Sequence, residues 1–496
     1  MLCVRNIHKT ATLSAGQRRR NNLKTQSPQF SSRVRPLQVR VAKPRRTSRP
    51  LSQAAAVESA SEKANEDAFI ATLLQRFGDS GRNGSDGPLQ RMRSEAIESL
   101  TGARMPTTRD EDFRFTDLSR IVEADIQPPA GSPLPMEEVE HLVFSEGSAS
   151  FLVLLDGSVQ MDKSNLTGLP PGVYVGPASG APEWALESLG RQSAARGNVL
   201  AALNTSMASD VVVVAVSSDV HVAPPIHVLM ASTSAEGSEQ MYGSAPRILV
   251  CLQSGSSAEI IEDCVTLGEG RAFTNSVMEV YLSEGSSLKH GYLQASEPCS
   301  GAHTKATLVE QEACSSYSLV ETRLGCLLTR HDLRIQQNGP DTSTKMRHFI
   351  LCGADQLHDL HSKLTLDHPR GVADQLHKCI STTASSRGVF DGNVKVNRSA
   401  QQTDAGQLSR NLLLAPRATV NVKPNLQIIA DDVTCTHGCA VSDLSDEELF
   451  YFVSRGIDRD TARECLVFSF GAEVIKEHGY SALTERLQTQ MKMMLK

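Results

Sequence analysis

Cys435, His437 and Cys439 fall at alternate positions in the stretch 431–441, which reads Asp-Asp-Val-Thr-Cys-Thr-His-Gly-Cys-Ala-Val. In an extended chain, alternate side chains leave the same face of the strand. Two thiols and an imidazole would then line up, and these are the ligand types that select zinc, copper(I) or iron–sulfur clusters. The competing reading is structural, since cysteine is a common small buried hydrophobe and one strand can carry two for packing alone. Asp431 and Asp432 form the obvious carboxylate pair nearby. Neighbours on a strand point to opposite faces, so the pair could not share acid–base work.

Other chemistry is sparse. His348, His358, His361, His368 and His377 crowd together, with Cys352 and Cys379 close by. Their spacing fits no common ligand pattern, and the expectation is that a repetitive fold displays them outward. The sequence holds no P-loop motif and no Gly-x-Ser-x-Gly elbow. Gly268-Glu269-Gly270 lacks the third glycine and the βαβ setting of a dinucleotide site. The chain reads as a non-enzyme.

The elements that must position the alternating triplet are β-rich. From about 210 to 440, short apolar runs follow one another, among them Val211–Val216, Ile226–Met230, Ile248–Leu252, Val277–Leu282, Leu288–Leu293 and Val389–Val396. Gly, Ser, Asn and Asp punctuate them, and no ten-residue amphipathic helix intervenes, which excludes βαβ crossovers. Gly255-Ser256-Ser257 recurs as Gly285-Ser286-Ser287, and Ala-Asp-Gln-Leu-His occurs at 354–358 and 373–377. The 19-residue spacing is taken as one coil of a solenoid, with the 30-residue spacing unmatched. Short strands with loose repetition favour a right-handed parallel β-helix over a β-sandwich.

Helical texture flanks this core. Phe69, Ile70, Leu73, Leu74 and Phe77 make one stripe, and a second helix runs over 89–100. After Val441, Ser445 and Glu448 suggest a capping box, Arg455-Gly456 a stop, Asp458 a second cap and Ser481 a third helix. The resulting division is 57–205 helical and mixed, 206–440 β-helix and 441–496 helical. The first of the C-terminal helices is unusually aromatic, so its stripe either packs back on the body or docks a partner.

Charge is unevenly spread over the 496 residues. Thirteen of the 50 Lys and Arg lie in residues 1–57, where there is no acid before Glu58. The remainder carries 37 bases against 56 acids, a net charge of −19. An Arg-rich, acid-free start suggests an organelle transit peptide over 1–56, with a basic nucleic-acid-binding arm as the alternative. The acidic remainder disfavours binding to phosphate backbones. The longest apolar runs fall far short of the roughly 18 residues of a membrane helix, so no membrane association is expected. Eleven scattered cysteines without a Cys-x-x-Cys pair suit a reducing compartment.

Several longer motifs carry a family likeness. They are Arg387-Gly388-Val389-Phe390-Asp391-Gly392, Thr403-Asp404-Ala405, Arg410-Asn411-Leu412-Leu413-Leu414 and Lys423-Pro424-Asn425-Leu426. Ala430 to Gly438, Asp446 to Tyr451 and Ser454 to Ile457 continue the series, with weaker matches at 113–118, 202–204 and 225–227. On these residues the chain resembles the SufB/SufD family of the SUF iron–sulfur cluster assembly machine, and within it the SufD type. The resemblance implies a parallel β-helix between helical domains and a non-catalytic scaffold. It implies pairing with a SufB-type paralogue and docking of a SufC-type ABC ATPase on the C-terminal helices, here Leu449, Phe450, Tyr451, Val453, Arg455 and Gly456. A homodimer is the other association open to such a chain. The resemblance further implies a transient iron–sulfur cluster shared with the SufB-type partner, with His437 and Cys435 at the family's His and Cys positions and Cys439 outside the pattern. The SufB type carries a Cys near the place of Ser409 and a Glu at the place of Gly438, which favours the SufD type here. A SufB-type builder and a β-helical carbohydrate-active enzyme are the alternatives. The same likeness turns the transit peptide toward the plastid stroma.

Overall fold

Successive corners of the chain repeat one backbone demand. Gly255, Gly285, Cys314, Asp341, Arg370 and Gln402 all sit at φ between 58° and 69°. Each closes the turn that carries the chain from one sheet to the other. Glycine meets that left-handed demand without steric cost, and the other four residues meet it under mild strain. Between corners run strands of nine to eleven residues. The computed structural model describes residues 67–78, 87–131, 134–235, 240–295 and 300–495. The stretch 1–56, read as a presequence, lies outside them.

The result is a parallel β-solenoid of about 7 turns with helices at both ends. One sheet stacks the strands 247–252, 272–282, 302–311, 328–337, 357–366, 387–396 and 419–428. The other stacks 226–233, 257–267, 287–295, 316–324, 343–352, 372–381, 403–413 and 433–442. Phe151–Leu155, Ser158–Asn165, Val173–Pro177 and Val212–Val216 extend both sheets at their first ends. Ser257 pairs with Ser287, Ser316 with Ser343, and Val372 with Asp404. The coil is therefore about thirty residues, and the Gly-Ser-Ser repeat marks it. The 19-residue spacing does not. The first Ala-Asp-Gln-Leu-His crosses the corner into one sheet, while the second lies inside Val372–Ser381 of the other.

Along each strand alternate side chains turn into the solenoid. One stripe of the interior is apolar, with Val280, Val309, Ile335, Leu364 and Val394 facing Ile260, Leu288, Leu319 and Met346. The outer faces are covered by helices. Ala68–Phe77 and Val199–Met207 pack on Phe273, Ala302 and Leu328 of the first sheet. Arg459–Ile475 and Ser481–Leu495 lay Val467, Val474, Leu483, Leu487 and Met491 on Val320, Phe349, Leu351 and Ile380 of the second. Among the described residues no helix is long and apolar enough to cross a membrane.

The three weaker motifs prove to be docking points, two for the N-terminal segment and one for the last helix. Thr116 hydrogen-bonds the Asp359 carboxylate, and Phe113 lies under the Arg330 guanidinium at 3.8 Å. Asn204 donates to the carbonyls of Pro246 (3.0 Å) and Asn275 (2.7 Å). His227 lies 3.3 Å from Asp263, which Arg486 of the last helix also reaches at 2.6 Å.

Candidate functional site at the last coil

Val433–Ser442 is the last strand of its sheet and pairs with Thr403–Leu413 alone, leaving one edge open. The register sets Ala405 beside Cys435, Gln407 beside His437 and Ser409 beside Cys439. Ala405, Gln407 and Ser409 are inward-facing and buried, and paired residues of parallel strands share a face. The triplet thus continues the inner columns of the solenoid to its end. Cys435 packs against the interior core and is half-buried, whereas His437 and Cys439 are exposed. Asp431 and Asp432 lie in the turn before the strand, outside the column.

The electrostatics of the triplet describe an incomplete site. Burial pushes the Cys435 thiol up, with a contribution from Asp404, and burial pushes the Cys439 thiol up as well. Both sulfurs stay protonated at neutral pH, and a thiol must lose its proton before it binds metal. Among the described residues no three His, Cys, Asp or Glu side chains converge tightly enough to hold a metal ion. The triplet shares a face without forming a closed ligand set.

Behind the rim, the interior is unexpectedly polar. His348, His358 and His377 point inward at 0% exposure, contrary to the outward display expected of them. His361 instead lies under the N-terminal segment, 3.1 Å from Asp359, and His368 sits half-buried at a corner. The inward histidines are tolerated because other coils supply partners. Glu321 accepts from His348 Nδ1 at 2.6 Å and from His331 Nδ1 at 3.1 Å, with Arg323 at 2.7 Å. Burial opposes ionisation of Glu321, but interactions with His331 and the Arg323 guanidinium and the hydrogen bond from His348 outweigh it and hold the carboxyl well below its usual range. Two coils earlier, Lys305 reaches Glu262 at 2.5 Å and His290 reaches it at 3.1 Å. Sequence reasoning missed this interior; its signal was polar residues at alternate positions in Ala302–Gln311 and Val372–Ser381.

The C-terminal helix Asp446–Val453 follows directly. Ser445 caps it by accepting from the Glu447 amide at 3.2 Å, one residue short of the Glu448 pairing expected. Leu449 turns inward at 3% exposure and anchors the helix, so it is not part of an exposed face. Phe450 is 71% exposed, with Tyr451, Val453 and Ile457 exposed beside it. Arg455 stacks over the Tyr451 ring at 3.7 Å, and Gly456 turns the chain at φ 83°. Ile457 belongs to the apolar face and was not singled out in the sequence.

Comparison with known proteins adds an independent line. The family model described as "SUF system FeS cluster assembly, SufBD core domain" matches residues 233–470. The model described as "SufBD protein N-terminal region" matches 65–228. The protein ABCI7, chloroplastic, of Arabidopsis thaliana is 42% identical, covering 92% of this chain and 96% of the relative. The iron–sulfur cluster assembly SufBD family protein slr0076 of Synechocystis is 33% identical over 81% of this chain and 90% of its own length. The iron–sulfur cluster assembly protein SufD of Escherichia coli is 28% identical over 76% of the chain and 86% of its own length.

Proposed function

The chain belongs to the SufBD family of iron–sulfur cluster assembly proteins, and from that premise we propose that it is the SufD-type, non-catalytic scaffold subunit of a plastid SUF complex. The observation that carries this reading is the open edge of Val433–Ser442. It is ten residues long, without charge or proline, and left unpaired. Edges of that kind invite another strand, and proteins normally blunt them with Lys, Pro or a bulge. The sister edge, Thr419–Ile428, carries both Lys423 and Pro424. A partner of like architecture would continue the sheet and bring its own inner column against Cys435, His437 and Cys439. A SufB-type paralogue fits that description best, because Ser409 and Gly438 leave this chain without the Cys and Glu of the SufB type.

In this reading the nascent cluster is cargo held between chains. His437 supplies an imidazole, Cys435 an accessory thiol, and the partner supplies the remaining ligands and the charge that would deprotonate a thiol. The exposed face of Asp446–Val453 docks the SufC-type ABC ATPase. The residues before 57 direct the chain to the plastid stroma, in keeping with the chloroplastic relative.

Co-expression with the two partners tests the assembly. The expected result is a stable three-component complex with this chain present; recovery only as a homodimer would refute SufB-type pairing. Phe450→Asp tests the dock separately. Removing a central aromatic anchor costs at least about 2 kcal/mol, roughly thirtyfold in affinity. The ATPase should be lost from the purified complex while the SufB-type partner is retained. A folded variant that keeps the ATPase at wild-type ratio would rule this helix out as the dock.

A further inference from the structure

A directed chain of hydrogen bonds runs along the interior toward the rim. Ionised Glu321 accepts from His348 Nδ1, which leaves His348 Nε2 as an acceptor. Gln375 Nε2 donates to it at 3.2 Å and to Ser362 Oγ at 2.9 Å. Gln375 Oε1 is the acceptor end of that amide, with Gln407 Nε2 donating to it at 2.9 Å and Ser362 Oγ 3.3 Å away. Each link fixes the orientation of the next amide, so the chain ends on the Gln407 carbonyl oxygen. Gln407 is 3% exposed, and its Oε1 has no hydrogen-bond partner. A buried acceptor without a donor is destabilising. The next residue on that column is His437.

Gly392 makes room for this arrangement. A Cβ at 392 would collide with Gln407 Nε2 and with the Phe390 ring at 2.7 Å. The glycine of the Phe-Asp-Gly motif therefore lets the Gln407 amide lie where the chain of donors requires it.

We propose that Gln407 is the positioning residue for His437, accepting an imidazole N–H on its orphan Oε1 and fixing which ring nitrogen is left with a lone pair. Rotation of the exposed His437 side chain toward the column makes the bond. Only a donor satisfies that oxygen, so the other nitrogen is committed as a ligand, as outer-shell carbonyls and carboxylates commit metal-binding histidines elsewhere. The inference rests on the reading of His437 as a cluster ligand, but the tautomer itself is a property of this chain alone.

The test uses the full chain labelled with ¹⁵N-histidine, with the ring resonances of His437 assigned by their loss in His437→Ala. In the parent, one ring nitrogen should carry the proton and the other should show the shift of a bare lone pair. Gln407→Met keeps the volume and removes the acceptor, and should return both nitrogens to the averaged shifts of a free imidazole. Gly392→Ala should do the same from a different residue, whereas Gln407→Glu should retain the single tautomer. If the parent already averages, or if Gln407→Met leaves the pattern unchanged, the proposal is wrong. Should Gln407→Met fail to fold, the parent spectrum and Gly392→Ala still decide. Failure of the cluster reading would look different, with normal cluster yield in His437→Ala and an unaltered tautomer in the parent.

Discussion

Cluster formation by the assembled complex is expected to fall by more than about tenfold when His437 is replaced by alanine, with the complex still assembling. Removal of a mere outer-shell partner of a metal ligand costs roughly 10–100-fold, so loss of the ligand itself should cost no less. The backbone pairing of His437 with Gln407 does not depend on the imidazole. The side chain is exposed and outside the packed core, so its truncation leaves the fold and the assembly intact. Cys435→Ala should have a smaller effect on yield together with a modest loss of stability, because that thiol packs on the interior core. Cys439→Ala should have the least effect. Reconstitution of the purified complex with iron and a sulfide source, read by absorbance and by iron content, gives the ranking. Normal yield in His437→Ala within an intact complex would remove His437 from the site.

The arrangement that makes this prediction possible was legible only in part. The common face of Cys435, His437 and Cys439 follows from the period of two in any strand, and the register with Thr403–Leu413 agrees with it. Strands with apolar inner faces, such as Val277–Leu282 within Ala272–Leu282, announce themselves. Ala302–Gln311, Leu357–Leu366 and Val372–Ser381 do not. Their inward positions hold His303 and Lys305, His358, and Gln375 and His377. A buried histidine or lysine is tolerated when a polar group from another coil meets it, as Ser276 does for His303 and Ser409 for His377. That partner stands about thirty residues away, beyond any local pattern, as Glu262 does for Lys305.

The coil length was hidden for a related reason. The corner after strands of the first sheet demands positive φ, and among the described residues only the Gly255 and Gly285 coils meet it there with glycine. Later coils use Cys314, Asp341, Arg370 and Gln402, so the repeat loses its signature while the geometry persists. The C-terminal aromatic stripe was ambiguous because helical periodicity gives a face but not its neighbour. Packing assigns Leu449 inward and leaves Phe450 and Tyr451 out.

The buried polar interior should also dominate stability. Glu321→Leu leaves Arg323, His331 and His348 buried around a missing carboxylate, and breaking a buried pair of this kind costs about 3–5 kcal/mol. Converting Arg323 to leucine in the same chain should recover much of that loss, since a matched apolar pair is often neutral. A pH dependence follows from the histidines. Burial drives His303, His358 and His478 down to about 3. They remain neutral in the folded chain, while the unfolded chain takes up protons from about pH 6.5 downward. Unfolding is therefore favoured as pH falls from about 6.5 to 3, by about 1.4 kcal/mol per unit for each histidine and about 4 kcal/mol for the three. Glu262 and Asp332, held at about 2 by Lys305 and Arg330 against the opposing effect of burial, add to the loss only below about pH 4.5. Against a typical total of about 5–15 kcal/mol, the histidines alone should unfold the chain before the carboxylates titrate. Urea midpoints at pH 7.5, 6 and 5 would follow the decline. His358→Asn removes one of the titrating rings, so its slope should be shallower than that of the parent. A flat midpoint across that range would mean that these rings do not stay neutral in the folded solenoid.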